Sequence, residues 1–162
     1  MYIEKTLHNG YNPYLTLGKD DAGTGMDVGL LILEAGESWS WEDPDKEMAA
    51  LLFEGKARFA WDGQEKEGER PDCFGYDPYC LHVGKGAKVV ITALAHAEIY
   101  VQAALNERAF PAKFYAPEDT LIQHAGDKGE LLGCMRREIK TLFDYDNAPY
   151  SCMVLGEVLN YP

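Results

Sequence analysis

Basic residues are scarce in this chain. Its 162 residues include 15 Lys and Arg against 27 Asp and Glu, so the formal net charge is −12 at pH 7. A chain with this charge is repelled by the phosphate backbone of nucleic acids and by anionic lipid surfaces. We therefore expect neither nucleic acid nor membrane among its partners.

Long apolar runs and paired cysteines are also missing. No segment approaches the roughly 18 apolar residues of a membrane-spanning helix, and the N-terminal MYIEKTLHNG lacks the apolar core of a signal peptide. The cysteines form neither a CxxC pair nor a metal-knuckle spacing; they are Cys73, Cys80, Cys134 and Cys152. These absences predict a cytoplasmic protein with reduced thiols, most of them small core residues.

Strand signals, in contrast, are abundant. With 46% hydrophobic residues, 12% aromatic residues and 16 glycines, the chain has the composition of a folded, turn-rich protein. Short segments rich in β-branched, aliphatic or aromatic residues alternate with turn signals such as WDG and GKG. These segments are 28–36, 48–61, 88–96, 97–105 and 151–161. Their spacing predicts an antiparallel, all-β sandwich or barrel.

The pattern changes after residue 105. Segment 106–135 contains two prolines and three glycines and has no sustained apolar period, so we interpret 106–150 as a connector. Within it, CMRREIKTLF at 134–143 predicts either a short helix or an extended arm. The apolar strand near the C-terminus then has the character of the first strand of a further domain, or of an edge strand of the first one.

Two stretches within residues 1–105 have the spacing of a known pair of motifs. In GESWSWEDPDKE a glycine opens a strand and Glu47 precedes a second, apolar strand, and FGYDPYCLHVGKGAKVVITA supplies a glycine-containing loop before another strand. Together they resemble the two motifs of the cupin superfamily, which implies a double-stranded β-helix, a jelly-roll barrel. In metal-binding cupins these motifs carry three histidines. Here those positions fall on Glu42, Pro44 and Val89, and only Glu47 lies near the place of the glutamate ligand.

The missing histidines decide what the resemblance implies for the site. Proline and valine cannot bind a divalent metal, and one carboxylate is far short of the three or four ligands that such a site needs. We therefore expect a metal-free barrel, with no catalytic residue and no cofactor in this chain. Four residues are candidates for lining a cavity: Glu42, Glu47, Tyr79 and His82. A structural role is the commoner one for a single histidine in a strand, and we also favour it for Glu47.

Trp39 and Trp41 alternate with Ser38, Ser40 and Glu42. In a regular strand the two indoles therefore share one face and the polar side chains the other. By analogy with cupins, we expect the polar face to point into the barrel and the indoles to pack outward, at a core or subunit contact or as a platform for a sugar ring.

The order of the segments indicates which family within the cupin superfamily the chain resembles. The chain is similar, from about residue 25 to its end, to the N-terminal half of the 5-deoxy-glucuronate isomerase family of myo-inositol catabolism, which is related to 4-deoxy-5-keto-uronate isomerases. The segments that carry the similarity are LLILEAGESW, EMAALLFEGKARF, GERPDCFGYDPYCLHVGKGAKVVITA, AEIYVQAAL, MRREIKTLFD and SCMVLGEVLNYP. The resemblance implies two cupin barrels, with a divalent metal only in the second, of which residues 151–162 resemble the start.

Several functions are compatible with these features. The resemblance implies the N-terminal domain of a sugar-acid aldose–ketose isomerase, without catalytic activity on its own. A metal-free cupin that binds or senses a small molecule such as a sugar acid is an alternative, and a purely structural assembly domain is another. Since the apolar strand at 151–161 would be an aggregation-prone edge in water, we also expect a homodimer with residues 150–161 at or near its interface.

Overall fold

The computed structural model describes residues 6–21 and 23–161. Almost all regular structure within them is β-strand, apart from short 3₁₀ turns at Pro117–Asp119 and Glu130–Gly133. The strands are β1 (Gly10–Leu15), β2 (Met26–Leu33), β3 (Ser38–Trp41), β4 (Lys46–Trp61), β5 (Gln64–Arg70), β6 (Tyr79–Val83), β7 (Val89–Leu105), β8 (Lys113–Tyr115), β9 (Leu121–Ala125), β10 (Arg137–Phe143) and β11 (Leu155–Asn160). None of the helical segments in these ranges has the length and apolarity to span a bilayer.

The larger sheet has eight antiparallel strands in the order β1-β2-β7-β4-β6-β8, with β3 paired to β7 and β5 paired to β4. Strand β4 pairs with β6 along its first half and with β5 along its second half. Between the halves the register with β7 shifts at Gly55, where φ is +95° and an added Cβ would lie 1.8 Å from the carbonyl oxygen of His96. Glycine is required at this bulge, which bends the long strands so that both halves enclose one interior.

The interior of this jelly roll is apolar. Alternate residues of β4, β6 and β7 point into it, as the two-residue period of a strand requires. The side chains buried there include Met48, Ala50, Leu52, Phe59, Leu81, Val83, Val89, Ile91 and Ile99. The prediction of an all-β jelly roll is confirmed.

A second, three-stranded sheet covers the outside of the jelly roll. Its order is β11-β10-β9, and we call it the C-terminal sheet. Together with β8 and the segment before β11, it buries the outer face of β4 and β6 in a second apolar cluster of Ala49, Leu51, Cys80, Ala104, Tyr115, Leu142, Phe143, Ala148, Met153 and Leu155. The first half of β4, from Glu47 to Leu52, is therefore buried on both faces.

Two details of the C-terminal region differ from the sequence-based expectations. Residues 134–143 contain strand β10, so the short helix is wrong and the extended alternative is right. Lys140 and Leu142 are buried in β10 while Thr141 between them is partly exposed, and this alternation is a strand period. The apolar strand expected at 151–161 begins only at Leu155, because residues 151–153 instead make contacts with β4.

A buried ion pair joins the C-terminal sheet to the jelly roll. Arg70, at the end of β5, is fully buried, and its guanidinium donates to both carboxylate oxygens of Glu157 in β11, at 2.9 and 2.7 Å. It also donates to the carbonyl oxygens of Leu52 (2.9 Å) and Tyr76 (2.8 Å). A bidentate pair with these additional acceptors satisfies a charge that would otherwise be costly to bury.

We expect Glu157→Ala to lower the free energy of unfolding by about 3 to 5 kcal/mol, because it leaves the buried guanidinium of Arg70 without its carboxylate. Urea unfolding followed by circular dichroism measures the change. Glu67→Ala is the matched control, since it removes the carboxylate of an Arg–Glu pair that is exposed on both sides. The control should leave the unfolding midpoint nearly unchanged. Equal destabilisation by the two variants would contradict the importance of burial.

Candidate functional site

The four residues predicted to line a cavity lie in three different places. Glu42 is exposed, with its carboxylate 3.9 Å from the ammonium of Lys88. Tyr79 packs against the interior core, next to the ring of Phe114. Glu47 and His82 are fully buried and lie together on the outer face of the jelly roll. The structure therefore brings together only the last two.

The strand period explains why Glu47 and His82 meet. Met48 and Ala50 point into the jelly roll, so Glu47 and Ala49 point away from it. His82 is the direct partner of Ala49 in the antiparallel pairing of β4 with β6, so its ring lies on the same outer face. Both side chains are then covered by the segment that precedes β11.

Glu47 is the centre of a buried hydrogen-bond cluster, which we call the Glu47 cluster (Glu47, His82, Ser151 and the backbone of Cys152). Its Oε2 lies 3.1 Å from Nε2 of His82 and accepts a hydrogen bond from Oγ of Ser151 at 3.0 Å. Its Oε1 accepts from the backbone N–H of Cys152 at 2.6 Å. A buried carboxyl group with this many partners has its hydrogen bonds satisfied, and it ties residues 151–152 to β4.

The His82 ring is held by aromatic contacts. It stacks on Phe143, with ring centroids 4.0 Å apart and an angle of 4°, and its centroid lies 4.8 Å from that of Phe110. Its Nδ1 is buried without a hydrogen-bond partner among the described residues. The proton of a neutral ring therefore belongs on Nε2, where it is donated to Glu47.

The arrangement differs from a nucleophilic triad although it contains Ser, His and a carboxylate. In a triad the acid and the serine contact opposite nitrogens of the imidazole. Here Oγ of Ser151 lies 3.5 Å from Nε2 of His82, the same nitrogen that contacts Glu47. His82 therefore cannot pass a proton between the serine and the acid, and the geometry is that of a structural clamp.

The positions that correspond to cupin metal ligands do not fit a metal ion. Val89 is fully buried in the apolar interior, and Glu42 and Pro44 are exposed. Glu47 points to the outer face, away from Val89. The side chains at these positions do not converge, and two of the four, Pro44 and Val89, carry no ligand atom, so no step of a reaction can be assigned to a metal held by them.

One other group of possible ligands lies on the surface. In the described part of the chain, side-chain ligand atoms of Glu54, His96 and Glu98 lie within 4.8 Å of one another. Nδ1 of His96 is also hydrogen-bonded to Glu34 at 3.0 Å, which raises the pKa of the histidine. His96 and Glu98 both lie in β7, and the pairing of β4 with β7 brings Glu54 close to them, so the sequence spacing alone does not reveal this group.

Trp39 and Trp41 point inward, and the sequence-based expectation that they pack outward is wrong. They are the pairing partners of Ile91 and Val89 in β7, both of which face the interior. Since directly paired residues share a face of the sheet, the indoles must also face inward. Ser38 is exposed on the other face, where its hydroxyl contacts that of Thr92 at 2.8 Å.

Among several cavities in the described part of the chain, two lie beside the C-terminal sheet and beside the indoles. The larger of these two, of about 570 Å³, lies between the outer face of the jelly roll and β11, beside Phe53, Tyr100 and Lys140. The smaller, of about 150 Å³, lies on the inner face, beside the two indoles. The Nζ of Lys140 at the larger cavity is already paired with Asp77 at 2.8 Å.

A match to a known protein family agrees with this fold. The model of the KduI/IolB family matches residues 2–162. The chain belongs to this family. The resemblance to the 5-deoxy-glucuronate isomerase family is thereby confirmed. A search of curated proteins gave no match.

Among solved structures, the chain is similar to an IolB-like protein from Salmonella typhimurium LT2, with a TM-score of 0.70 at 18% sequence identity over 86% of this chain and 56% of that protein. The chain thus spans little more than half the length of this relative. Similarity also extends to the cupin domain of Cnp3 from Schizosaccharomyces pombe, with a TM-score of 0.46 at 11% identity over 59% of this chain and 60% of that one. A cupin superfamily protein from Desulfitobacterium hafniense is similar with a TM-score of 0.44 at 17% identity, over 63% and 83% of the two chains.

We expect Glu47→Ala to release residues 151–152 from β4, because their hydrogen bonds to a buried carboxylate are lost. Amide exchange at Cys152 should become about tenfold to a hundredfold faster, as the loss of a charge-assisted hydrogen bond implies. Hydrogen exchange measured by NMR reports on this single amide. The matched control is Glu54→Ala on the same strand, whose carboxylate is exposed. Unchanged protection of Cys152 in Glu47→Ala would show that the cluster does not hold this segment.

Proposed function

We propose that this chain is the scaffold domain of a sugar-acid isomerase and is catalytically silent by itself. The reaction is the interconversion of the aldehyde and keto forms of a deoxy uronic acid, by proton transfer between adjacent carbons. Membership of the KduI/IolB family supports the isomerase class. The apolar jelly-roll interior supports the absence of catalysis in this domain.

The apolar character of the jelly-roll interior is the observation that supports the proposal most directly. Aldose–ketose isomerisation needs a group that polarises the carbonyl oxygen and a base beside the acidic carbon. The side chains of β4, β6 and β7 that are buried in the interior core are apolar, and the fully buried acid and histidine of these strands, Glu47 and His82, point away and bind each other. The ammonium of Lys46 in β4 is already paired with the carboxylate of Asp27. A substrate in the interior would therefore meet neither kind of group from these strands.

A scaffold domain requires that the catalytic groups of the isomerase lie in another barrel. We propose that a divalent metal and its ligands belong to a second cupin barrel, as the family resemblance implies, and that this domain supports it. The IolB-like protein from Salmonella typhimurium is longer than this chain, which covers 56% of it. That difference in length is compatible with a second barrel in the relative.

We expect the purified chain to show no turnover of 5-deoxy-glucuronate, with or without added Mn²⁺ or Zn²⁺, because it supplies neither a Lewis acid site nor a placed base. ¹H NMR of the substrate and product measures the conversion over hours. A longer family member with a second barrel serves as the positive control in the same buffers. Metal-dependent turnover by this chain alone would overturn the proposal.

A binding module is the second candidate function, and the cavity of about 570 Å³ favours it. This volume falls within the range of about 300 to 1,000 Å³ that is usual for small-molecule sites. A sugar acid in it would compete with Asp77 for the ammonium of Lys140. In the same preparations, a saturable thermal shift with uronic acids, without turnover, would favour this function over a pure scaffold.

We also propose that the chain forms a homodimer through the C-terminal sheet. Strand β11 pairs only with β10 in the described part of the chain, so its other backbone edge is open. Val154 and Val158 beside this edge are 52% and 55% exposed. An open edge with apolar neighbours is a surface that proteins usually cover.

The dimer is tested by light scattering at micromolar concentration. We expect twice the monomer mass for the wild-type chain, and a shift toward the monomer for Val158→Lys, because a charge on each partner would face the shared edge. Val90→Lys, at a valine exposed on the jelly roll, is the matched control and should leave the mass unchanged. A wild-type monomer under these conditions would refute the proposal.

A further inference from the structure

The smaller cavity has the construction of a ligand site. It lies on the inner face of the jelly roll, where alternate residues of two strands supply its walls: Trp39 and Trp41 from β3, and Val101 and Ala103 from β7. Tyr11 from β1 completes the aromatic part of the lining. Its volume of about 150 Å³ is separate from the larger cavity beside the C-terminal sheet.

The aromatic walls are fixed in place. The rings of Tyr11 and Trp39 stack with centroids 5.6 Å apart and an angle of 25°. The Tyr11 ring lies directly over Gly29, where an added Cβ would be 2.5 Å from the ring. Glycine at this position therefore allows Tyr11 to lie against the sheet and leaves the cavity open.

The polar part of the lining is small. Asp27 is the charged residue at the cavity, and its carboxylate accepts a hydrogen bond from the backbone N–H of Leu17 at 2.7 Å and pairs with Lys46. Each carboxylate oxygen keeps a lone pair for a further donor. Burial, with a contribution from the charge of Asp27, raises the pKa of Tyr11 to about 12, so the tyrosine stays neutral at physiological pH.

The size and the lining of the smaller cavity together indicate which class of ligand it can bind. A cavity of about 150 Å³ in a protein interior accommodates benzene. A carboxylate ligand would be repelled by Asp27, and the charge of Asp27 is already balanced by Lys46, so no cation is needed. We propose that this cavity binds a neutral monocyclic phenol, with its ring against Tyr11, Trp39 and Trp41 and its hydroxyl donating to Asp27.

A sugar ring of the same size fits less well. A pyranose carries hydroxyl groups around its whole edge, and those that face Val101 and Ala103 would lose water without gaining a partner. Each such hydroxyl weakens binding by about tenfold. A phenol has a single hydroxyl group, which Asp27 satisfies.

The test is a fluorescence titration, because two of the three tryptophans of the chain line the cavity. With excitation at 295 nm, we expect phenol to quench the emission of the wild-type protein saturably. Benzene, which lacks the hydroxyl, should bind about tenfold more weakly, and methyl glucopyranoside and benzoate should give no saturable change. Absence of saturable quenching by phenol, or tighter binding of the glucoside, would overturn the proposal.

Two variants locate the site. Ala103→Met fills the cavity from β7 and should abolish the saturable quenching, whereas Ala95→Met, an exposed alanine on the same strand, should not. Gly29→Ala pushes the Tyr11 ring toward the cavity and should weaken phenol binding without a strained backbone, since φ at Gly29 is not positive. Near-ultraviolet circular dichroism establishes that each variant is folded. Wild-type affinity in a folded Gly29→Ala or Ala103→Met protein would also overturn the proposal.

Discussion

The structure depends on one constraint: the first half of strand β4 is buried on both faces. Every residue from Glu47 to Leu52 is buried, with alternate side chains in the jelly-roll interior and under the C-terminal sheet. A strand of this kind needs two layers to cover it, so the jelly roll and the C-terminal sheet stabilise each other. The apolar contacts supply most of this stabilisation, and they are not directional.

Polar groups determine how the two layers fit. Arg70 with Glu157, and Glu47 with His82 and Ser151, lie in the contact between the jelly roll and the C-terminal region. Buried charges are tolerated only where their partners are in place, so each pair excludes other positions of residues 151–157. The same arrangement directs the acid and the imidazole away from the interior, which is why we infer a scaffold and not a catalyst.

The jelly roll and its family were predictable from the sequence because their signals are local. Strand segments at 28–36 and 48–61 have the composition and period of β-strands, and β2 and β4 lie there. The order of such segments was sufficient to recognise the family. Strands β8 and β9, within 106–150, were missed because both are short and β9 is exposed, so their apolar residues have no burial pattern to detect.

The sequence by itself determined that the chain is an all-β member of this family and that the cupin ligand positions carry Pro44 and Val89, which cannot bind a metal, because residue identity and spacing are read directly. Only the tertiary structure decided which way the side chains face. A strand has two faces, and a period of two assigns residues to the same face without saying which face is inside. Because Trp39 pairs with Ile91, the indoles face the interior. Because residues 151–153 pack over Glu47, this residue lines no cavity and instead binds Ser151 and Cys152 as a buried hydrogen-bond acceptor.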